Sequence, residues 1–514
     1  MTLRRVSLFA AAAVTASAST AGAQAPPAAP APDEMMRPGV SLELARHRAA
    51  TLSGVRYQLN LDLTAARDTV EANLSIKVNR APDAGDLVLD FRGPALRAVS
   101  ANGQVVMDAE WRNGHLRIPA RHLREGENEV FAVFTTRIAA AGASIIRFND
   151  ATDGGTYLYT LLVPADANQL FPSFDQPDLK ARFSWSIVAP LDWQVLANGP
   201  GRRDANEEAA LWTFEETEPI STYLAAFAAG PWRTWTDLPD GDDLPVTLYA
   251  RQSRAGEVDA DTLIAINRRA VRWLERYFGV EYPFTKFETL LAPAFPFGGM
   301  EHVGAIFYNE NQFIFREPPT LGQQIGRKST IYHEVAHQWF GDLVTMRWFD
   351  DLWLKEGFAT YMAARMQATL DPASEAWKTF YLRNKPAAYA VDASLGTTPV
   401  WQELANLDQA KSNYGAIVYN KAPSVLKQLE YVVGERAFRD GVRRFLARHA
   451  SGNATWRELR AAVGAAAGRD LSAWGAQYIL RPGLPVLEAT ATDGGIAVAQ
   501  RPAQALSGDA PWPI

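Results

Sequence analysis

The feature that most constrains the fold is a change in hydrophobic periodicity near the middle of the chain. Residues 55–63 alternate apolar and polar side chains with a period of two, which is typical of a strand with one buried face. The alternation recurs at 70–78, 87–91 and 129–134, and no convincing long helix precedes about residue 255. We therefore predict a β-rich domain over residues 41–236.

The second half of the chain shows helical spacing instead. Residues 259–278 carry apolar side chains three and four positions apart, and the segment after Pro423 is a second amphipathic helix. These patterns predict an α+β domain over residues 237–484, so the chain has a multi-domain α+β fold. Residues 485–514 contain a β-hairpin pattern, and we expect them to be the start of a further β domain that the chain does not complete.

The first forty residues have the composition of an export leader. Residues 1–25 combine a basic start, a short apolar run and small residues, which is typical of a signal peptide. The apolar run is too short to span a membrane. Residues 26–40 are rich in proline and alanine and are predicted to be a linker. We therefore expect an exported protein that is periplasmic or extracellular.

Composition excludes several classes of chemistry. The chain of 514 residues has no cysteine, so disulfides, thiolate metal sites and cysteine nucleophiles are excluded. Its net charge of −6 provides no basic surface for nucleic acid or an anionic membrane. Oligomeric state is not indicated by the sequence. A metal would have to bind histidine, carboxylate or carbonyl groups.

The residues at 333–337, His-Glu-Val-Ala-His, are the strongest indication of function. On a helix, His333 and His337 lie one turn apart on the same face and can reach one metal ion. Glu334 is next to them and can contact a water at that ion without being a ligand. Considered alone, the motif also fits a helix with two core histidines and a solvated glutamate.

A third ligand candidate, Glu356, follows His337 in a second apolar segment that also reads as a helix. We expect Asp350 or Asp351 to cap this helix. Two histidines and one glutamate with an open fourth position are the catalytic arrangement of zinc, whereas structural zinc sites are closed by four protein ligands. The sequence therefore predicts one catalytic zinc per chain.

These segments resemble peptidase family M1, the gluzincins that include aminopeptidase N and leukotriene A4 hydrolase. The resemblance includes the histidine motif and Glu356, which is separated from His337 by eighteen residues. Three further segments are similar to motifs of that family and occur in the same order. They are the stretch FPSFDQPDLKARF at 171–183, the GxMEN-like GGMEH at 298–302, and the YxKG-like YNKA at 419–422.

The resemblance implies a β saddle domain followed by a thermolysin-like zinc catalytic domain that removes N-terminal residues from peptide substrates. It implies that His333, His337 and Glu356 bind zinc, that Glu334 is the general base and that Tyr419 stabilises the oxyanion. It further implies that the substrate is bound by the segment comprising Gly298, Gly299, Met300 and Glu301, with Glu301 facing the α-ammonium group.

Two departures from the family pattern concern recognition of that ammonium group. Val163 stands where relatives place a glutamate or glutamine that shares the amine, and His302 stands where they have asparagine. We expect His302 to compensate in part as an acceptor. The departures leave two alternatives to a strict aminopeptidase: a zinc peptidase of the same mechanism with altered or endopeptidase specificity, and a non-catalytic peptide-binding relative.

Overall fold

The computed structural model describes residues 31–65, 67–239, 244–503, 508 and 512. The predicted signal peptide at 1–25 and the first part of the predicted linker lie outside the described residues. The rest of that linker is not simply extended. It contains helix α1 (Pro32–Met35), and Met35 and Met36 are buried against Leu44 and Val88.

The first half of the described chain is β-rich, as predicted. Its main sheet has the strand order β12-β15-β10-β9-β8-β2-β1-β11-β14-β13. In addition, β4 pairs with β8 and β5 pairs with β4, and a separate small sheet has the order β3-β7-β6. The strands are β1 (Leu52–Asp62), β2 (Thr69–Arg80), β3 (Leu87–Asp90), β4 (Ala95–Ala101), β5 (Gln104–Val105), β6 (Glu110–Arg112), β7 (His115–Ile118), β8 (Gly126–Ala139), β9 (Ile145–Asn149), β10 (Thr156–Thr160), β11 (Arg182–Ala189), β12 (Gln194–Ala197), β13 (Gly201–Ala205), β14 (Ala210–Phe214) and β15 (Phe227–Gly230).

The alternation seen in the sequence is the alternation of burial in these strands. In β1, Tyr57, Leu59 and Leu61 are buried and the residues between them are more exposed, because successive side chains of a strand point to opposite faces. Strand β1 pairs parallel with β11 and antiparallel with β2. The predicted β domain is therefore confirmed in its main elements.

A ten-residue helix, α2 (Leu42–Thr51), precedes the first strand and was missed by the periodicity argument. The Ser41 hydroxyl caps it by accepting the Leu44 N–H. Its inward face carries the cation Arg48, whose guanidinium forms two hydrogen bonds of 2.7 and 2.8 Å with the buried Asp90 carboxylate. A search for apolar periodicity cannot find a helix that buries a charge.

The second half of the described chain carries most of the helices. They are α4 (Ala260–Phe278), α5 (Leu321–His337), α6 (Trp353–Leu370), α7 (Ala376–Asp392), α8 (Ala422–Val433), α9 (Glu435–His449), α10 (Trp456–Ala467) and α11 (Ser472–Tyr478); α3 (Ala167–Leu170) lies in the first half. A five-stranded sheet has the order β16-β17-β18-β20-β19, and β21 pairs with β22. These strands are β16 (Trp232–Asp237), β17 (Val246–Arg251), β18 (Phe287–Ala292), β19 (Gly299–Met300), β20 (Ala305–Asn309), β21 (Val344–Met346) and β22 (Gly452–Ala454).

Both helices predicted from spacing are confirmed. The Asp259 side chain caps α4 by accepting the Thr262 N–H, and Gly279 ends the helix in the left-handed region at φ 66°. Helix α8 covers the segment after Pro423. The boundary between the two sheets lies between Gly230 and Trp232, a few residues before the predicted boundary at 236/237, because β16 pairs with β17.

The β domain contacts the segment that follows α5. The Lys180 Nζ donates hydrogen bonds to the carbonyl oxygens of Asp342 and Leu343, at 2.8 and 3.1 Å, and the Tyr223 hydroxyl donates to that of Gly341 at 3.3 Å. The first domain therefore positions the end of the helix that carries the predicted metal ligands.

The predicted C-terminal hairpin is present as β23 (Pro485–Thr492) and β24 (Gly495–Pro502), which pair antiparallel. Most of its side chains are exposed, including Leu487, Ile496 and Val498. None of the helices in the described part of the chain is both long and apolar enough to cross a membrane.

Candidate active site

One cavity of about 540 Å³ brings the predicted site residues together. It lies between α5, α6, the strand β19 and a turn that precedes α8. Its lining includes all nine of them: Gly298, Gly299, Met300, Glu301, His333, Glu334, His337, Glu356 and Tyr419.

The two histidines are presented by the last turns of α5. This helix begins with a capping box. The Thr320 hydroxyl oxygen accepts a hydrogen bond from the Gln323 backbone N–H, and the Gln323 side-chain oxygen accepts one from the Thr320 backbone N–H. The Nε2 atoms of His333 and His337 lie 3.0 Å apart. Helix α6 brings Glu356 against them, with its Oε2 atom 3.3 Å from each Nε2.

The spacing of these three atoms fits a zinc ion. Zinc-to-ligand bonds of about 2.0–2.1 Å in a tetrahedron place the ligand atoms about 3.3 Å apart. The observed separations are 3.0, 3.3 and 3.3 Å, which match this spacing, and the three atoms form a triangle. All three residues line the cavity. His333, His337 and Glu356 are therefore able to hold zinc with one position left open.

The remaining polar atoms of the three ligands are oriented by neighbours. The Nδ1 atom of His337 lies 2.9 Å from the Phe340 carbonyl oxygen, so it carries the proton and leaves Nε2 free to coordinate. The Nδ1 atom of His333 lies 3.3 Å from the Thr360 hydroxyl oxygen. The Lys355 ammonium donates to Oε1 of Glu356 at 2.7 Å. The sequence did not reveal these partners.

Glu334 projects from the same helix into the cleft beside the metal triangle. Its carboxylate lies within 4.8 Å of ligand atoms of Glu301 and His337. Burial raises the pKa of Glu334 well above that of a free carboxyl group. Gly299 makes room for it: a Cβ atom at position 299 would lie 2.6 Å from the Glu334 carboxyl group.

Glu301 is held by a short hairpin, in which β19 pairs with β20 at Gly299–Tyr308 and Met300–Phe307. The Gln338 side chain donates to the Glu301 carbonyl oxygen at 3.1 Å. Since β19 is the last strand of its sheet, its outer edge can pair with an extended peptide.

Lys355 is the functional side chain that the sequence reasoning missed. Its Nζ atom lies 2.5 Å from Oε1 of Glu301 and 2.7 Å from Oε1 of Glu356, and all three side chains are buried. Burial opposes ionisation of Glu301, but the charge of Lys355 outweighs it and lowers the pKa of that carboxyl group. A lysine inside the apolar run Trp-Leu-Lys-Glu-Gly-Phe was the available signal, because a cation buried there needs a carboxylate partner.

Tyr419 lies on a π-helical turn, Ile417–Lys421, immediately before α8. Its ring centre is 6.3 Å from that of His333. Burial raises the pKa of the Tyr419 hydroxyl well above that of free tyrosine, so the group stays protonated and can donate a hydrogen bond.

Val163 and His302, the two residues that depart from the family pattern, differ in their position relative to the cavity. Val163 and Glu301 both line the cavity, and the Val163 side chain offers no acceptor. His302 is fully buried, stacks edge-on against Phe307 and is not among the cavity-lining residues. The expectation that His302 compensates for Val163 is therefore wrong, because the backbone turns the imidazole away from the cleft.

A second expectation also fails, since neither Asp350 nor Asp351 caps α6. A single 3₁₀ turn, Phe349–Asp351, leads into that helix, and the Asp351 carboxylate accepts the Trp456 N–H of α10 instead.

Comparison with known proteins follows the same two-domain division. Residues 53–224 match the family model for the peptidase M1 N-terminal domain, and residues 264–478 match that for the peptidase family M1 domain. The chain belongs to peptidase family M1. Both helices that carry the metal-ligand candidates, α5 and α6, and the π-helical turn of this M1 protein lie inside the second matched region.

Similar proteins include several aminopeptidases. This M1 protein is 37% identical over 460 residues to aminopeptidase N of Streptomyces lividans, covering 88% of this chain and 53% of that protein. It is 30% identical over 428 residues to probable aminopeptidase 1 of Sulfurisphaera tokodaii (83% and 53%), and 30% identical over 348 residues to leucyl aminopeptidase of Saccharolobus solfataricus (67% and 44%). The chain thus spans about half the length of these curated relatives.

Proposed function

We propose that this M1 protein is a zinc-dependent aminopeptidase that hydrolyses N-terminal residues from peptides. The observation that carries the proposal is the triangle of two Nε2 atoms and one carboxylate oxygen at 3.0–3.3 Å, with the Glu334 carboxylate beside it. The similarity to aminopeptidases supports the substrate class.

His333, His337 and Glu356 would hold the zinc ion. The chemistry that zinc supplies at an open three-ligand site is Lewis acidity, which brings the pKa of a water to near 7 and polarises a carbonyl group. Glu334 takes the proton of the attacking water and afterwards delivers it to the leaving amine. Its position one residue from a ligand lets it do this without binding the metal itself.

The other cavity residues bind the substrate and its developing charge. Tyr419 donates a hydrogen bond to the scissile carbonyl oxygen as that oxygen becomes negative. The open edge of β19, at Gly299 and Met300, pairs with the peptide backbone, and Gly298, which precedes this edge, also lines the cavity. Glu301 attracts the substrate ammonium group.

A pair of variants separates the base from the ligand. Glu334→Gln should keep zinc and lose about 10²–10⁴ in kcat, because an amide cannot take the proton of water. Glu356→Ala should lose zinc or bind it far more weakly. Zinc content by elemental analysis and turnover of a leucyl fluorogenic amide measure both. If Glu334→Gln stripped the metal while Glu356→Ala retained it, the two roles would be exchanged.

A further inference from the structure

A second cavity, of about 530 Å³, adjoins the active-site cleft. Three side chains line both spaces: Val163, Phe297 and Tyr414. They therefore form the partition between the metal-binding cavity and the second one. Val163 in this partition is one of the two positions that depart from the family pattern described above.

This partition is almost entirely apolar. Val163 and Phe297 contribute only carbon atoms, and the buried Tyr414 hydroxyl has no hydrogen-bond partner among the described residues. Of the three carboxylates that line the cleft, Glu356 is a metal-ligand candidate, Glu334 is the proposed base, and Glu301 is already paired with the Lys355 ammonium at 2.5 Å. A substrate ammonium placed here must compete with a buried lysine for one carboxylate, so the site offers a free amine little advantage over an uncharged amide nitrogen.

The walls of the second cavity fit an uncharged group. The turn at 140–143, between β8 and β9, contributes small side chains, and Ile146 and Leu161 contribute apolar ones. An ion pair in the lining joins Lys411 and Asp166 at 2.6 Å. The Lys411 side chain is 64% exposed and lies toward solvent, whereas the Asp166 side chain is 14% exposed and is also paired with Arg92 at 2.8 Å. A cavity of this size, with apolar walls and a polar rim, is typical of a subsite for a small apolar group.

We propose that the second cavity is a subsite for an acyl group attached to the α-nitrogen of the residue at the scissile bond. The acyl group is either a simple N-terminal blocking group or a further amino-acid residue. This inference rests on the proposed zinc peptidase function and extends its substrates to N-acylated and N-terminally extended peptides. Glu301 then serves as the partner of Lys355, and a free amine is accepted but not required.

The test compares kcat/KM for leucyl, acetyl-leucyl and acetyl-alanyl-leucyl aminomethylcoumarin amides on the full chain. Both acylated substrates carry an acetyl group on the N-terminal nitrogen, so residues cannot be removed stepwise from a free end. Comparing the two substrates distinguishes acceptance of a simple acyl group from acceptance of an added residue. We expect at least one acylated substrate to reach more than about one tenth of the leucyl value. A smaller value for both, with the leucyl amide still cleaved, overturns the subsite and leaves the proposed function standing. Cleavage of none of the three would contradict the proposed function itself.

Two variants locate the acyl group. Val163→Glu restores an acceptor in the partition, so the ratio of acylated to leucyl kcat/KM should fall about tenfold or more. Ala143→Trp fills the second cavity from the turn at 140–143 and should lower the same ratio by a similar factor. Met107→Trp, at an 89% exposed position of the β domain, is the matched control for adding a tryptophan and should leave the ratio unchanged.

Ratios that stay at the parent value in both Val163→Glu and Ala143→Trp would place the acyl group elsewhere and overturn the proposal. Because each ratio is taken within one protein preparation, partial misfolding of a variant lowers both values and leaves the ratio interpretable.

Discussion

At the scale of single residues, the buried Lys355 reduces the negative charge of the cleft. Lys355 bridges Glu301 and Glu356, and a buried ammonium is tolerated because both of its contacts are short and charged. The two carboxylates consequently share one cation. The cleft is therefore less negative toward a substrate amine than the motif around Glu301 indicates by itself.

Gly299 leaves room for the carboxyl group of Glu334, the proposed general base. A methyl group at this position would lie 2.6 Å from the Glu334 carboxyl group, and the flexible end of that side chain would have to move. We expect Gly299→Ala to fold normally but to lose about 10² in kcat, since a displacement near 1 Å is enough for such a loss. Thermal melting and steady-state kinetics measure the two effects.

Gly298→Ala is the matched control, because its Cβ would meet nothing closer than the Gln312 side chain at 3.4 Å. It should cost far less activity than Gly299→Ala. Equal losses in the two variants would show that Gly299 acts through the backbone rather than by giving room to Glu334.

His302 makes stability depend on pH. Burial lowers the pKa of His302 to about 3, with Glu301 and Lys355 as the nearby charged groups. The unfolded chain protonates this histidine near pH 6.5, so it binds more protons than the folded chain between about pH 6.5 and 3. The free energy of unfolding therefore falls as the pH is lowered through this range, by up to about 1.4 kcal/mol per pH unit.

His302→Asn should remove this contribution. Urea denaturation at about pH 6.5 and about pH 5 compares the fall in free energy of unfolding for the two chains. The fall should be smaller in the variant. Equal falls would mean that His302 is not held neutral in the folded protein.

The residues that act directly in the predicted chemistry could be recognised in the sequence, because their spacing follows from helix geometry. His333 and His337 are one turn apart, and Glu334 is beside them. Lys355 could not be assigned a partner, since Glu301 lies 54 positions away and only the folded hairpin brings it within reach. The direction of the His302 side chain depended on the same hairpin and was predicted wrongly.

At the scale of elements, the π-helical turn Ile417–Lys421 places the proposed oxyanion donor, Tyr419, in the cleft. An extra residue in a helical turn redirects a side chain, and such turns are frequent at functional sites. Here the turn brings Tyr419 to within 6.3 Å of His333, measured between ring centres. Regular α-helical spacing does not anticipate this placement.

Tyr419→Phe tests the purpose of that turn. The hydrogen bond of the phenol is needed only once the carbonyl oxygen becomes negative, so kcat should fall about 10²–10³ with little change in KM. Steady-state kinetics on a leucyl amide measure this split. An unchanged kcat would give Tyr419 a purely structural role.

Long elements with a clear period were predicted well, and those with buried charges were not. Helix α4 agrees with its predicted span to within a residue because its apolar stripe and its Asp259 cap are both explicit. Helix α2 was missed because Arg48 occupies its inward face. The cap of α6 was misassigned because Asp351 bonds α10, a partner more than a hundred residues away.

At the scale of the whole molecule, the β domain acts as a support for the metal site. Lys180 and Tyr223 bond the carbonyl oxygens of residues 341–343, immediately after the helix that carries both histidines. Such contacts resist movement of His337 relative to Glu356. The N-terminal and the catalytic family models both match within this one chain. Their occurrence together is consistent with support of the catalytic domain by the β domain.

The most direct test of the account is the zinc content of the purified chain, measured together with peptidase activity. We predict close to one zinc per chain, loss of leucyl-amide turnover with 1,10-phenanthroline, and recovery when zinc is returned. His333→Ala and His337→Ala should lose the metal, and His302→Asn should keep it. Full turnover by a metal-free preparation, or undiminished zinc in both ligand variants, would contradict the assignment of this site.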